Sequence, residues 1–425
     1  MTTTANELQQ KGAAAKAAAR LLRHLSTAVK DRALKSIAEA LLARQAEIID
    51  ANQRDYEAGR QAGLTDALLD RLLLTPERIA GIAGDVRQVA ALPDPVGEVI
   101  DARTLPNGLQ VGRRRVPLGV IGAIYESRPN VTVDIASLCL KSGNVCILRG
   151  GKEAAHSNRV LAAIVREASA EAGAPQDAVQ LVENTDRALV GEMLQMRDTI
   201  DLLIPRGGAD LIRFVAENAT MPVVTGGIGV CHTYVDSSAE VQMAVDIAYN
   251  AKCRRPTICN ALDTLLVAGD IAPVYLPVIG SRWAEAGVEM RCDDRSLRIL
   301  RSAEVPELKA VLATPEDFGK EFLALVAAVK VVDSLDEAIE HIDRYGSGHS
   351  EAIVTQDYGA AQRFLDEVDA AAVYVNASTQ FTDGAQFGLG AEVGISTQKM
   401  HARGPMGLTE MTSTKWVVTG TGQVR

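Results

Sequence analysis

The stretch VPLGVIGAIYESRPNVTVDIASLCLKSGNVCILRGG, residues 116–151, decides the fold. VPLGVIGAIYE is an apolar run that reads as a buried strand, and RPN is a turn. VTVDIASLCLKSG is a helix closing on Gly143, and NVCILRGG is the next strand and turn. Two buried strands joined through a helix lie parallel, because such a crossover brings the chain back in its original direction.

The same rhythm continues outward. A helix runs to about residue 172, AVQLVE is a strand, ALVGEMLQM a short helix, and IDLLIPRGGADLIRFVAEN a strand, glycine pair and helix. A second series starts near Gly229 with GVCHTYVD, a helix to Lys252, the segment AKCRRPTICNALDTLLVAGD (251–270), a helix around VYLPVIGSRWAEAG and the strand VEMRC. AVKVVDSLDEAIEHIDRYG and SEAIVTQDYGAAQRFLDEVDAAAVYVN extend it. Residues 5–93 are rich in Ala and Leu at helical spacing and stop at the prolines of LPDPVG. RTLPNGLQVGRRRVPLG carries Asn107-Gly108 between alternating runs, a hairpin signal, and TSTKWVVTGTGQVR reads as a last strand. The expected fold class is α/β, with two doubly wound parallel-sheet domains plus a projecting hairpin and tail.

Composition limits the chemistry. A length of 425 residues suggests roughly two to three domains, and 47% hydrophobic with 23% charged residues is ordinary for a globular protein. The net charge of −10 argues against a nucleic-acid surface or a polybasic membrane patch, so an anionic ligand needs a local basic pocket. The opening lacks the apolar core of a signal peptide, and no segment reaches the roughly 18 apolar residues of a membrane span; a cytoplasmic protein is expected. The cysteines at 139, 146, 231, 253, 259 and 292 form no CxxC pair and read as reduced thiols. The histidines show no zinc-ligand spacing, so no metal site is expected.

Two strands end in the same tripeptide, Arg149-Gly150-Gly151 and Arg206-Gly207-Gly208, each leading into a helix. Both turns belong at the carboxyl edge of a parallel sheet, where a helix N-terminus offers N–H groups to a phosphate, so a nucleotide site is expected. Arg149 and Lys152 add charge suited to the 2′-phosphate of NADP. No GxGxxG occurs, since GLGAEVG at 388–394 has the wrong spacing. In the segment 251–270, a thiolate beside Lys252, Arg254 and Arg255 would be stabilised by their charge. Cys259, beyond Pro256 at the entry to the next element, is the better placed thiol; Cys253, at a helix end, competes with it.

RRPTICNALDTLLV, the block from 116 to 158, IDLLIPRGG, VKVVDSLDEAIEHIDRYGSGHSEAIVT and FGLGAEVGISTQKMHARGPMGL together resemble the γ-glutamyl phosphate reductase family of the aldehyde dehydrogenase superfamily, over nearly the whole chain. The resemblance implies an aldehyde dehydrogenase-like fold. It places an NADP-binding domain at 1–100 and 117–228, a catalytic domain at 229–405, and oligomerisation segments at 101–116 and 406–425 of a homo-oligomer. It also implies NADPH-dependent reduction of L-glutamyl 5-phosphate to L-glutamate 5-semialdehyde with release of phosphate, the second step from glutamate to proline. Glutamate 5-kinase, which makes the unstable acyl phosphate, is the transient partner this suggests.

Residue by residue, the resemblance makes Cys259 the nucleophile, with Ser127 and Asn130 as candidate side-chain donors to the oxyanion. Arg206, Gly207 and Gly208 match the cofactor turn; Arg149, Gly150, Lys152 and Glu153 fall near the adenosine-ribose turn; Glu321 matches the glutamate that holds the nicotinamide ribose. Arg128, Arg254 and Arg255 are the cations for phosphate and α-carboxylate. Where hydrolytic relatives carry a water-activating glutamate, this chain reads Val224-Thr225-Gly226-Gly227. A missing base suits an enzyme that must not hydrolyse its thioester. The alternatives are a hydrolytic or CoA-acylating aldehyde dehydrogenase and, outside enzymes, a nucleotide-binding scaffold.

Overall fold

Residues 116–151 fold as strand, helix and strand. The computed structural model describes residues 2–226 and 229–425. It divides into two compact units, 1–226 with 388–394 and 406–425, and 227–387 with 395–405. The expected boundary after residue 228 thus falls after 226, and residues 388–394, expected in the catalytic domain, return to the first unit.

In the first unit the helical layer comprises Thr2–Leu22, Thr27–Ala43, Gln45–Gln61, Asp66–Leu72 and Pro76–Ala91. The last of these starts on a Thr75 cap, whose hydroxyl accepts from the Arg78 N–H, with Pro76 in the first turn. The hairpin is β1 (Val99–Thr104) and β2 (Gln110–Pro117). Its turn is closed by the Leu105 N–H on the Leu109 carbonyl at 2.8 Å. The chain's last strand, Thr412–Thr419, pairs antiparallel with the other side of β2.

Four strands follow, β3 (Val120–Tyr125), β4 (Val145–Gly150), β5 (Val179–Leu181) and β6 (Leu202–Arg206), all parallel in the order β5-β4-β3-β6. Every residue of β3 and β4 is buried, as a sheet covered on both faces requires. Strand order reverses between β3 and β6, which makes their carboxyl ends the place where such sheets bind ligands. Tyr125 pairs with Gly150 on one side and Arg206 on the other, so both RGG segments end level with it. The intervening helix, Asn130–Ser142, stops at a left-handed Gly143 with φ +77°.

The second unit carries β7 (Cys231–Val235), β8 (Leu262–Ala268), β9 (Glu289–Cys292), β10 (Lys309–Leu312), β11 (Val326–Val332), β12 (Ser350–Val354) and β13 (Ala372–Val375). They form one parallel sheet in the order β10-β9-β11-β8-β7-β12-β13. β8 is buried throughout and its core neighbours include Tyr275, Trp283 and Phe364. Among the described residues no helix is long and apolar enough to cross a membrane. The six cysteines are free thiols, as expected.

Candidate active site

Helix Val241–Cys253 ends at the first cysteine of the segment, and a turn of eight residues, Arg254 to Ala261, leads into β8. Cys259 sits half-buried in that turn. It therefore stands at the amino end of β8, the edge opposite the one where parallel sheets usually place ligands. Burial pushes the competing Cys253 thiol up to about 11, against the pull of Lys252 and Arg282. Burial drives the Cys231 thiol well above its ordinary value too. Neither is a ready thiolate at neutral pH.

Gly229, which sequence reasoning treated only as the start of a series, joins the parts. A Cβ at this residue would lie 1.7 Å from the Cys259 carbonyl oxygen, so only glycine permits the approach. The Cys231 thiol donates to that same oxygen at 3.2 Å. The Gly229 N–H donates to Glu321 Oε1 at 3.0 Å, so Cys259 and Glu321 meet through one glycine. Burial raises the Glu321 carboxyl, and the Gly229 N–H opposes the rise.

Lys252 does not serve the thiol as expected. Its buried ammonium donates to the Leu262 carbonyl at 2.8 Å and lies 3.5 Å from Asp263 Oδ1. This ties the helix end to β8, because at this helical position the side chain faces the strand. Burial pushes Asp263 up to about 6 while Lys252 opposes it. The same carboxyl accepts the Phe322 N–H at 3.1 Å and so anchors the segment that carries Glu321. Arg254 and Arg255 are exposed, and Arg254 Nη1 donates to Gln380 Oε1 at 3.2 Å.

Beside this edge, His349 is fully buried, with Nδ1 2.8 Å from Ser350 Oγ, and burial pulls its pKa down from 6.5 to about 4. Its folded pKa lies below its unfolded one, so the unfolded chain binds the proton first and stability is lost as pH falls through that window. The stability advantage of the parent over His349→Leu should therefore shrink by about 3 kcal/mol between pH 7 and pH 4, measured by urea unfolding at each pH. A pH-independent gap would rule out a neutral buried imidazole.

In the first unit the two RGG turns differ, contrary to the expectation that each runs directly into a helix. A short 3-10 turn, Lys152–Ala154, separates Gly151 from helix Ala155–Glu171. The first N–H groups of that helix are taken: His156 and Ser157 donate to the Asp55 carboxylate at 3.1 and 2.7 Å. Arg149 is also engaged, being 6% exposed with its guanidinium on the Thr185 and Asp186 carbonyls at 2.8 and 3.3 Å. Lys152 is the exposed cation of this turn. Glu153 accepts the Ser127 N–H at 2.5 Å and its hydroxyl at 3.1 Å, holding Ser127 at φ +49°.

The second turn lies at the switch point. Arg206 is half-buried, and Gly207 and Gly208 are exposed ahead of helix Ala209–Asn218. The Gly208 N–H donates to Glu126 Oε2 at 3.4 Å, and a Cβ on Gly207 would press on the same oxygen at 2.6 Å. A carboxylate oxygen thus already marks this helix end as a place for an anion, a role for Glu126 that no local motif announced. Asn130 opens its helix with its amide on Asp134 Oδ2 at 2.8 Å; burial pushes that carboxyl up to about 7, the Asn130 bond opposing. Arg128 lies half-buried between them in sequence. Val224 is buried and its N–H pairs with the Leu203 carbonyl; Gly227 lies outside the described residues.

The chain matches the aldehyde dehydrogenase family over residues 1–295 and 311–417. It is 62% identical over 419 residues to the γ-glutamyl phosphate reductase of Dehalococcoides mccartyi strain CBDB1, covering 99% of this chain and 98% of that one. The Escherichia coli O1:K1 / APEC protein of the same name is 53% identical over 418 residues, 98% and 100% of the two chains. The crystal structure of the γ-glutamyl phosphate reductase of Thermotoga maritima superposes with a TM-score of 0.95 at 49% identity, covering 99% of this chain and 100% of that one. An acetylating aldehyde dehydrogenase of Geobacillus thermoglucosidasius shares the fold, with a TM-score of 0.70 at 19% identity over 99% and 98% of the chains. The chain belongs to the aldehyde dehydrogenase family and, within it, to the γ-glutamyl phosphate reductases.

Proposed function

We propose that the chain reduces L-glutamyl 5-phosphate to L-glutamate 5-semialdehyde through a thioester on Cys259, with NADPH as reductant, in the route from glutamate to proline. The observation that carries this reading is the half-buried Cys259 on a turn locked to Gly229 and Glu321, in a chain with apolar Val224 at the place of the hydrolytic base.

The Cys259 thiolate attacks the acyl carbon, the phosphate leaves with the bonding electrons, and the acyl group stays on sulfur. When bound, the nicotinamide dinucleotide supplies the hydride that takes this thioester to a thiohemiacetal. The thiohemiacetal hydroxyl then gives up its proton, the C–S bond breaks, and aldehyde and thiolate are released. Arg254 and Arg255, with Arg128, serve as cations for phosphate and α-carboxylate. The Cys259 N–H, Ser127 and Asn130 are the proposed donors to the oxyanion.

For the cofactor, Gly207 and Gly208 fit a pyrophosphate where the Glu126 carboxylate now accepts an N–H. Arg206 belongs to the same turn. Lys152 is the proposed 2′-phosphate cation, with Arg149, Gly150 and Glu153 shaping its turn, and Glu321 holds the nicotinamide ribose. Self-association through the sheet of β1, β2 and the last strand, where Trp416 and Val418 are exposed, belongs to the same reading, as does a transient contact with the kinase that makes the acyl phosphate.

The test follows NADPH formation from the semialdehyde and NADP⁺. Turnover is expected to require inorganic phosphate. Equal turnover without phosphate would identify a hydrolytic enzyme, and a requirement for coenzyme A an acylating one.

A further inference from the structure

We propose that Gln380 is a positioning residue that fixes Arg254 and the cysteine turn in one arrangement, so that cation and nucleophile are presented together. Its consequence for turnover rests on the acyl-phosphate reading above.

Gln380 lies in the short 3-10 turn Thr379–Phe381 and is 5% exposed. Burying a primary amide requires partners for its oxygen and both hydrogens. All of them come from the segment around Cys259. Its Nε2 donates to the Ala251 carbonyl at 3.0 Å and the Arg255 carbonyl at 3.4 Å, and its Oε1 accepts from Arg254 Nη1 at 3.2 Å. Its own carbonyl accepts from Asn260 Nδ2 at 3.3 Å. The neighbours complete the clasp: Asn260 Nδ2 also donates to the Thr382 carbonyl at 3.0 Å, and Thr379 Oγ1 donates to the Asn260 carbonyl at 2.7 Å. One turn thus grips the cysteine segment before, within and after its two arginines, and ends on the residue next to Cys259.

A brace for the main chain alone needs only the bonds to residues 251, 255 and 260. The bond to Arg254 does something else, because it restricts an exposed arginine that would otherwise sample many rotamers in water. The acceptor is neutral. A carboxylate in this place would hold the guanidinium equally well but cancel its charge, which an anionic substrate needs. An amide directs the cation and leaves its charge intact.

The test compares alkylation of Cys259 by iodoacetate, an anion, with that by neutral iodoacetamide, using peptide mass mapping and a free thiol as reference. The iodoacetate-to-iodoacetamide rate ratio reports the positive potential at the sulfur and needs neither cofactor nor substrate. Gln380→Met is expected to lower the ratio about fivefold, the effect of roughly one unit charge moved away from the thiolate. Arg254→Gln should lower it as much, and the double variant no further. In the reverse reaction, the KM for phosphate should rise by a larger factor than kcat falls.

A folded Gln380→Met with an unchanged ratio, whatever its melting temperature, would overturn the proposal and leave Gln380 a packing residue. If that variant does not fold, Gln380→Glu decides: it keeps the acceptor but neutralises Arg254, so its ratio must fall, and an unchanged ratio refutes the proposal. Should the parent lack phosphate-dependent turnover, the functional reading fails while the alkylation ratio still judges Gln380.

Discussion

Cys259→Ala is expected to reduce phosphate-dependent NADPH formation from glutamate 5-semialdehyde by a factor on the order of 10⁴, while Cys253→Ala stays near the parent. The asymmetry follows from environment. Cys253 lies at a helix end where burial holds its thiol at about 11, so little of it is ionised at neutral pH. Cys259 lies in a turn with two exposed arginines before it and main-chain contacts behind it. Without the sulfur there is no atom to hold the acyl group while phosphate departs. Titration of the alanine variant by NADPH fluorescence should still show binding, which separates loss of chemistry from loss of fold. Activity that survives in Cys259→Ala and disappears in Cys253→Ala would reverse the assignment.

Gly229→Ala should be nearly as damaging without touching a reacting group. Its methyl carbon would fall 1.7 Å from the Cys259 carbonyl oxygen, and both atoms belong to main chain that cannot swing aside as a side chain could. The entry to β7 or the cysteine turn must shift by about an ångström or more, and displacement of that size around a nucleophile costs on the order of a hundredfold in rate. The Gly229 N–H would also lose its geometry to Glu321. Overpacking costs about 1–3 kcal/mol of stability, measurable by urea unfolding. Gly81→Ala provides the contrast: it is exposed within helix Pro76–Ala91 with no atom within 4 Å of the added carbon, and it should gain about 0.5–1 kcal/mol at unchanged activity. If kcat/KM for Gly229→Ala stays within a few-fold of the parent, the close approach does not govern the site.

What could be read from the sequence was local. The run 116–151 shows its strands by unbroken apolar residues and its helix end by Gly143; Asn107-Gly108 shows the hairpin, and Cys259 stands out by the arginines before it. What escaped depended on distant partners. The two RGG turns look alike on paper, yet Asp55, from the helical layer, caps the helix behind the first and leaves the second as the anion site. Arg149 reads as an open cation until the carbonyls of residues 185 and 186 close on it. Lys252 stands next to Cys253 in sequence, but a helix directs that side chain toward β8. The importance of Gly229 lies wholly in the carbonyl that approaches it, and no residue pattern in its own neighbourhood records that.

The grip of residues 379–382 on the cysteine turn reaches across about 120 positions of sequence. A chain emerging from the ribosome N-terminus first therefore carries Cys259 without its clasp until that later segment has been made. At about 5–20 residues per second, this interval is on the order of ten seconds for every molecule synthesised. How long the sulfur goes unguarded in a newborn chain is thus set by the pace of translation.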